Sequence, residues 1–482
     1  MKRWQIGVGL VAAAALGVWM TRPPVPRHVV IISLDTTRAD ALGVYGGADA
    51  FTPEIDKFAS QALVFDRHYS AAPTTLASHT ALFTGNHPHN HGVPRNDYRV
   101  NDKNRMLQEV FSEAGFRTAA FLGAIPLGSH SNFTQGFMHV EESFSLHRKA
   151  DGTAQSERPG DEVVAAVKGF LDDNAPEGDE RLFLFVHLFD AHAPYWPDAV
   201  QRARLPVDAT IEGAGSMDHI TKVRGMLRRG DPDAARHVDT LRSLYLTGVS
   251  TLDGHVGELL RVLEDASVLD DALVVLTADH GETYAGHDEA FDHGETVYDE
   301  TIHTPLILRF PGGWSGGDRI AEPVSNTDVF PSLIELFGLE EPPVDGHSLI
   351  PALRWPLWSR GEPVFAEATK PHVPDQKGWQ NTQMHKAAVD GDWKLVFRPK
   401  GEKVELYNVL SDPAEQHNLR HEQTETAAEL LTAVRAWAEA AHPYASPKVS
   451  SARVKAELEA LGYVDGPSGG DEGAPGEAEP ED

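Results

Sequence analysis

Short apolar runs along the chain share one layout, hydrophobic throughout and then closed by a carboxylate. His28-Val-Val-Ile-Ile-Ser-Leu-Asp35 and Ala272-Leu-Val-Val-Leu-Thr-Ala-Asp279 are the clearest, and their unbroken character predicts central strands covered on both faces. Leu182 to Asp190, Thr118 to Leu122 and Pro305 to Phe310 predict further strands, with amphipathic helices at Glu162 to Asp172 and Thr251 to Glu264 between them. Buried strands alternating with helices give an α/β class: a mostly parallel central sheet sandwiched by helices. In such sheets ligands bind beyond the carboxyl ends of the strands, where Asp35, Asp190 and Asp279 stand. After Arg360 the pattern changes to Trp393-Lys-Leu-Val-Phe397, Val404-Glu-Leu-Tyr407 and a helix over Glu425 to Ala441, which predicts a small C-terminal α+β subdomain.

The two ends differ from this body. Lys2 and Arg3 precede an apolar stretch from Ile6 to Met20 that Thr21-Arg-Pro-Pro24 closes, the layout of an export signal. Residues 1–22 are therefore expected to act as a signal peptide or a single membrane anchor, placing the protein in the periplasm or outside the cell, or tied to the inner membrane. Gly466 to Asp482 holds only Gly, Pro, Ala, Ser, Asp and Glu and is expected to be a disordered acidic tail. The expected divisions are 23–360 for the main unit, 361–445 for the subdomain and 446–465 for a terminal helix.

Composition narrows the chemistry. Across 482 residues, 42 Lys plus Arg face 72 Asp plus Glu, a net charge of -30 that repels nucleic-acid backbones and anionic lipid surfaces. The chain has no cysteine, which excludes disulfides, thiolate metal sites, thiol nucleophiles and CxxC redox chemistry.

Asp35, Asp279 and His280 are hard or borderline ligands at two strand ends, a set suited to a divalent cation, although polar residues at strand ends are also ordinary loop starts. Thr75 reads as the start of a helix stopped by Gly85, so its hydroxyl lies beside free backbone N–H groups that favour an oxyanion. The plainer reading, that Thr74 or Thr75 only caps the helix, stays open at this point.

Ser33-Leu-Asp35-Thr-Thr-Arg38-Ala-Asp40, Thr52-Pro-Glu-Ile-Asp56, Thr75 to Gly85 followed by His87-Pro-His-Asn-His91-Gly-Val93, Asp190-Ala-His192-Ala-Pro194-Tyr195, Thr277-Ala-Asp279-His280-Gly281-Glu282 and His303-Thr-Pro305 stand in fixed order. With Asp345-Gly-His-Ser-Leu349 and Glu405 to Pro413, this series resembles the landmarks of the sulfatases of the alkaline phosphatase superfamily, over residues 28 to about 420.

That resemblance implies an ester hydrolase, and it places Thr75 where the family carries the Cys or Ser that becomes formylglycine. Ser78-His79 stand in place of the usual Ser-Arg, and Ala77 in place of the proline. Threonine yields neither type of formylglycine, so the resemblance points to relatives with an unmodified Thr nucleophile, which act on phosphorus. The Gly-Lys-Trp-His segment of sulfate pockets is replaced by Gly123-Ala-Ile-Pro126, which lacks a cation. By carry-over the metal ligands are Asp35, Asp279, His280 and the Thr75 oxygen; Thr36 follows Asp35 where many sulfatases have a second Asp. One His among oxygens suits a single Zn²⁺ or Mn²⁺ better than Ca²⁺ or Mg²⁺, which stay open.

His192 and His293 occupy positions of oxyanion-binding or leaving-group-protonating residues, though with 24 histidines in the chain either can be structural. His79 is expected to touch Thr75 or the anion, and Ser78 to bind substrate. Arg38 either guides an anion or pins the first loop, and His87, His89, His91 and His287 are secondary candidates. The expected reaction is phosphoester cleavage through Thr75 on a small anionic ester, with glycan or lipid-headgroup esters in range. A true sulfatase with metal-activated Thr75 and a non-catalytic anion-binding relative are the alternatives. The insert between Asp198 and Arg242 is expected to cover the pocket mouth.

Overall fold

A computed structural model describes residues 23–144, 147–148, 154–155, 157–195, 211, 213–287, 289–340, 342–354, 358–368, 384–440 and 446–460. The expected export segment 1–22, the expected acidic tail 466–482 and the end of the expected terminal helix lie outside the described residues; a helix spans Ala452–Ala460.

Among the described residues the main sheet has nine strands: β1 (His28–Leu34), β2 (Leu63–Tyr69), β3 (Phe116–Phe121), β4 (His139–Glu141), β5 (Arg181–Leu188), β6 (Ala272–Thr277), β7 (His303–Arg309), β8 (Arg319–Ile320) and β9 (Val324–Ser325). Across the sheet the order is β8, β2, β7, β6, β1, β5, β3, β4, with β9 also on β2. All pairings are parallel except the two made by β7, which runs against β2 and β6. The mostly parallel sheet expected from the sequence is the one observed.

β1 lies at the centre and every one of its residues is buried. Its side chains divide by parity, as strand geometry requires. Val30, Ile32 and Leu34 join a core with α3 (Gly160–Asp173) and the 32-residue α4 (Ala234–Asp265), while Val29 and Ile31 face the opposite layer with α2 (Thr75–Thr84). α1 (Pro53–Ala59) packs with the first layer.

On the α2 side polarity rises along each central strand toward its carboxyl end. The series are Val29, Ile31, Ser33, Asp35 beside Phe183, Phe185, His187 and Leu273, Val275, Thr277, Asp279. The apolar members fix the register, and the same register brings the polar members to one place.

The sequence foresaw only the second half of α4. The earlier turns bury Leu241, Leu244, Tyr245 and Val249, and with the helix Met217–Arg228 they show that the described part of the expected covering insert is largely helical. The C-terminal subdomain is a four-stranded antiparallel sheet, β10 (Val364–Glu367), β11 (Lys386–Asp390), β12 (Trp393–Arg398) and β13 (Lys403–Asn408), with α5 (Thr424–Glu439) on one face. Its other face meets Tyr69, Val297, Tyr298 and Ile302 of the main unit.

Candidate active site

The polar ends of β1, β5 and β6 meet the N-terminus of α2. Gly85 stops that helix at a φ of 70°, the left-handed conformation glycine adopts without strain, and all ten residues from Thr75 to Thr84 are buried. The Leu76 N–H is taken by the Asn96 side chain at 2.8 Å, so part of the expected open helix start is already satisfied.

Three carry-over ligands and the Thr75 hydroxyl come together. Thr75 Oγ1 lies 3.5 Å from His280 Nε2, which lies 3.4 Å from Asp279 Oδ2. Asp35, Asp279 and His280 each place a ligand atom within 4.8 Å of the others, all fully buried. His280 Nδ1 donates to the Gly281 carbonyl at 2.9 Å, so in the neutral ring Nε2 carries the lone pair, the tautomer a metal ligand needs. Asp279 Oδ1 accepts the N–H of Thr36 and of His280 at 3.1 and 2.8 Å, whereas Oδ2 is buried with no hydrogen-bond partner.

Burial and mutual charge set the electrostatics of the cluster. Burial, followed by the Asp35 charge, raises the Asp279 pKa. Burial would also raise Asp35, but the His187 hydrogen bond and the neighbouring imidazoles outweigh it and hold Asp35 well below the usual carboxylate range. Burial lowers His280 while the charges of Asp279 and Asp35 outweigh it, so His280 is raised. An orphaned carboxylate oxygen, a correctly oriented imidazole nitrogen and a hydroxyl form a donor set that fits a divalent cation.

Ser78 turns its hydroxyl to protein partners, and His79 touches Thr75 as expected, through the backbone carbonyl. The Ser78 hydroxyl donates to the Asp279 carbonyl at 2.7 Å and also meets Ser70 and Asn326. His79 Nδ1 donates to the Thr75 carbonyl at 2.8 Å, and Nε2 accepts from the Ser33 hydroxyl at 2.8 Å. Burial, then the nearby His187, lowers its pKa to about 3, consistent with that neutral form. The two side chains thus tie the helix bearing Thr75 to both ligand-bearing strands.

His79, His187 and Asp279 form a second cluster with ligand spacing. Its hydrogen bonds argue against a second cation: His79 spends its N–H on Thr75 and its lone pair on Ser33, and His187 Nε2 donates to Asp35 Oδ2 at 3.0 Å.

His192 and His293 stand beside the cluster. The His293 ring centroid is 4.1 Å from that of His280 and 5.3 Å from that of His192. His192 Nδ1 bonds the Ala193 carbonyl, its ring stacks on Phe189, and burial lowers its pKa to about 4. Glu282, a motif residue to which the sequence reading gave no role, accepts from Tyr195 Oη at 3.0 Å and lies 3.6 Å from His293 Nδ1; burial, then the Asp292 charge, pushes it up to about 7.

The remaining candidates lie apart from this cluster. Arg38 forks onto Asp40 at 2.7 Å twice, donates to the Glu282 carbonyl at 2.8 Å and stacks over Tyr284, so it pins the first loop. His87 and His89 meet Trp437 of the subdomain, His89 also bonds Glu367, and His91 accepts from the Val93 N–H. His287 stacks on Tyr298 and pairs with Glu300. Gly123 brings no cation, and an added Cβ there would lie 2.7 Å from the His187 carbonyl.

Comparison with known proteins decides the family. The Sulfatase family profile matches residues 27–339, and the profile of the N-sulphoglucosamine sulphohydrolase C-terminal region matches residues 286–437. The chain belongs to the sulfatase family. This sulfatase-family chain is 23% identical to the ulvan-active sulfatase of Formosa agariphila, over 82% of its length and 77% of the relative's. It is 26% identical to human N-acetylgalactosamine-6-sulfatase, over 76% and 74%. Among solved structures, the phosphonate monoester hydrolase of Agrobacterium radiobacter superimposes with a TM-score of 0.66 at 21% identity, covering 86% of this chain and 96% of that one. The family and fold make the protein an ester hydrolase of the alkaline phosphatase and sulfatase superfamily.

Proposed function

We propose that this sulfatase-family hydrolase cleaves a phosphoester with the unmodified Thr75 hydroxyl as nucleophile, beside one divalent cation held by Asp35, Asp279 and His280. The observation that carries the reading is Thr75 Oγ1 lying 3.5 Å from His280 Nε2 at the start of a buried helix. The bound cation would lower the pKa of a coordinated hydroxyl and polarise the ester. Asp279 Oδ2, His280 Nε2, Thr75 Oγ1 and one Asp35 oxygen are the donors, a small set with one nitrogen that favours Zn²⁺ or Mn²⁺.

In the first half-reaction Thr75 loses its hydroxyl proton, the Oγ1–P bond forms, and the P–O bond to the alcohol breaks with a proton delivered to the departing oxygen. In the second, water attacks phosphorus, the P–Oγ1 bond breaks and the proton returns to Thr75. His192 and His293 flank the cluster and are the proton carriers this reading assigns, because a neutral imidazole offers one donor and one acceptor nitrogen. Ser78 and His79 hold Thr75 still through its helix, which is worth rate because small misplacements of a nucleophile are costly.

A second reading, sulfate-ester hydrolysis, is favoured by the relatives' names, since the Formosa protein is an ulvan-active sulfatase and the human one an N-acetylgalactosamine-6-sulfatase. The fold does not choose, because its neighbours include phosphonate monoester hydrolases and a glucosamine-disulfate-bound enzyme. Thr75, which cannot become formylglycine, tips the choice to phosphorus. The charged-then-apolar N-terminus supports an exported protein.

Nitrophenyl phosphate, phosphodiester, phosphonate and sulfate assayed with Zn²⁺, Mn²⁺, Mg²⁺ or Ca²⁺ test the reading. Turnover of phosphorus esters above sulfate, dependent on Zn²⁺ or Mn²⁺, is expected. Turnover of sulfate alone contradicts it.

A further inference from the structure

The loop that carries His293 is held in a conformation it would not keep by itself. Phe291, two residues before the histidine, is buried with a φ of 49°, a left-handed backbone that bulky residues rarely adopt and that persists only where the surroundings impose it. Thr283 supplies part of that restraint: its carbonyl accepts the Phe291 N–H at 2.9 Å, and its hydroxyl donates to the Asp292 carbonyl at 2.9 Å. These bonds leave the Ala290 and Phe291 carbonyls to another donor.

That donor comes from outside the loop. Arg224, on the helix Met217–Arg228 of the insert, gives Nε to the Ala290 carbonyl at 2.9 Å and Nη2 to the Phe291 carbonyl; the same Nη2 lies 3.1 Å from Asp292 Oδ2. Asp292 Oδ1 in turn accepts the backbone N–H of His293 at 2.9 Å. One guanidinium therefore binds three consecutive residues that end just before His293, and its planar fork fixes their direction as a flexible ammonium would not.

The helix that sends out this side chain is itself anchored. Ile220 and Val223 are fully buried in the core shared with α4, and His219 Nε2 lies 2.8 Å from His237 Nδ1 on α4. Arg224 follows Val223 directly, so its stem leaves a fixed base. We propose that Arg224 is a positioning residue that sets the loop bearing His293, so that the insert, through this one side chain, places the His293 ring beside His280. This rests on the proton-carrying role assigned to His293 above, and Arg224 acts only through the loop.

The test is a double-mutant cycle on the full-length protein, with the nitrophenyl ester of the panel above that the parent turns over best. Parent, Arg224→Ala, His293→Ala and the double variant are compared. Arg224→Ala is expected to lower kcat by roughly 10- to 100-fold with KM little changed, the cost of a small misplacement of a reacting group. His293→Ala is expected to lose roughly 10²- to 10⁴-fold. With His293 absent the Arg224 change has little left to remove, so the double variant is expected to match His293→Ala. Should Arg224→Ala not fold, Arg224→Met keeps the apolar stem without the donors and takes its place in the cycle. Equal loss from the Arg224 change in both backgrounds, or no loss in the parent, overturns the inference and leaves the role of His293 standing. Unchanged turnover in His293→Ala overturns that role and the inference with it.

Discussion

Thr75→Ala is expected to lower turnover of the best phosphoester by roughly 10³- to 10⁶-fold, the range seen when a nucleophile is removed and binding is left in place. Thr75→Ser, which keeps the hydroxyl at the same helix position, is expected to retain measurable turnover. The loss should fall on kcat, because Ser78 and His79 anchor α2 through their own partners and the rest of the pocket stays put. Circular dichroism and thermal unfolding of the Ala variant should match the parent. Full activity in the folded Ala variant would transfer the nucleophile's role to another group.

Asp279→Asn is expected to give two effects of opposite sign. Asparagine keeps the shape and an oxygen for the Thr36 and His280 N–H groups, but it removes the charge. Cation affinity should fall by about 10²-fold or more, since the orphaned Oδ2 is the ligand atom and the amide NH2 that takes its place has no lone pair to give a metal. Unfolding of the cation-free protein should shift to higher temperature, because burial and Asp35 raise the Asp279 pKa, the mark of a carboxylate whose charge is unwelcome there. The sign follows from linkage: a raised folded pKa contributes stability below the ordinary carboxylate pKa and loses it as pH rises through the folded value. Scanning calorimetry with and without Zn²⁺ reads both effects, and the parent alone should gain stability from the metal. A cation-free Asn variant that melts lower than the parent at neutral pH would contradict this account of Asp279.

The ends of β1 and β6 were legible because a continuous apolar run that stops at a carboxylate has few other readings, and α2 because Gly85 closes it. β2 was not: Leu63-Val-Phe-Asp-Arg-His-Tyr69 breaks its hydrophobic run where its pairing with β7 shifts register between Phe65 and His68. β10 and β11 are short and carry Glu367, Lys386 and Asp390, so they lack the pattern of the two strands that were foreseen. The direction of β7 is likewise not written in a short apolar run.

Within the site, strand-end position together with the family resemblance pointed to Asp35, Asp279 and His280, and the structure brings the three together. The partners of Ser78 and His79 needed coordinates, since sequence spacing put them near Thr75 without saying which way they turned. His187 left one usable signal: Phe183, Phe185 and His187 alternate on a strand that pairs with β1, so a polar residue there had to fall beside Ser33. Glu282 left none beyond its place in Asp-His-Gly-Glu.

The most direct measurement is anomalous diffraction from crystals grown with Mn²⁺ or Zn²⁺. One peak is predicted, bounded by Asp35, Asp279 Oδ2, His280 Nε2 and Thr75 Oγ1, at about 2.0–2.2 Å from its ligands. A peak bound elsewhere, or one that leaves the Thr75 hydroxyl well outside bonding distance, would contradict the account.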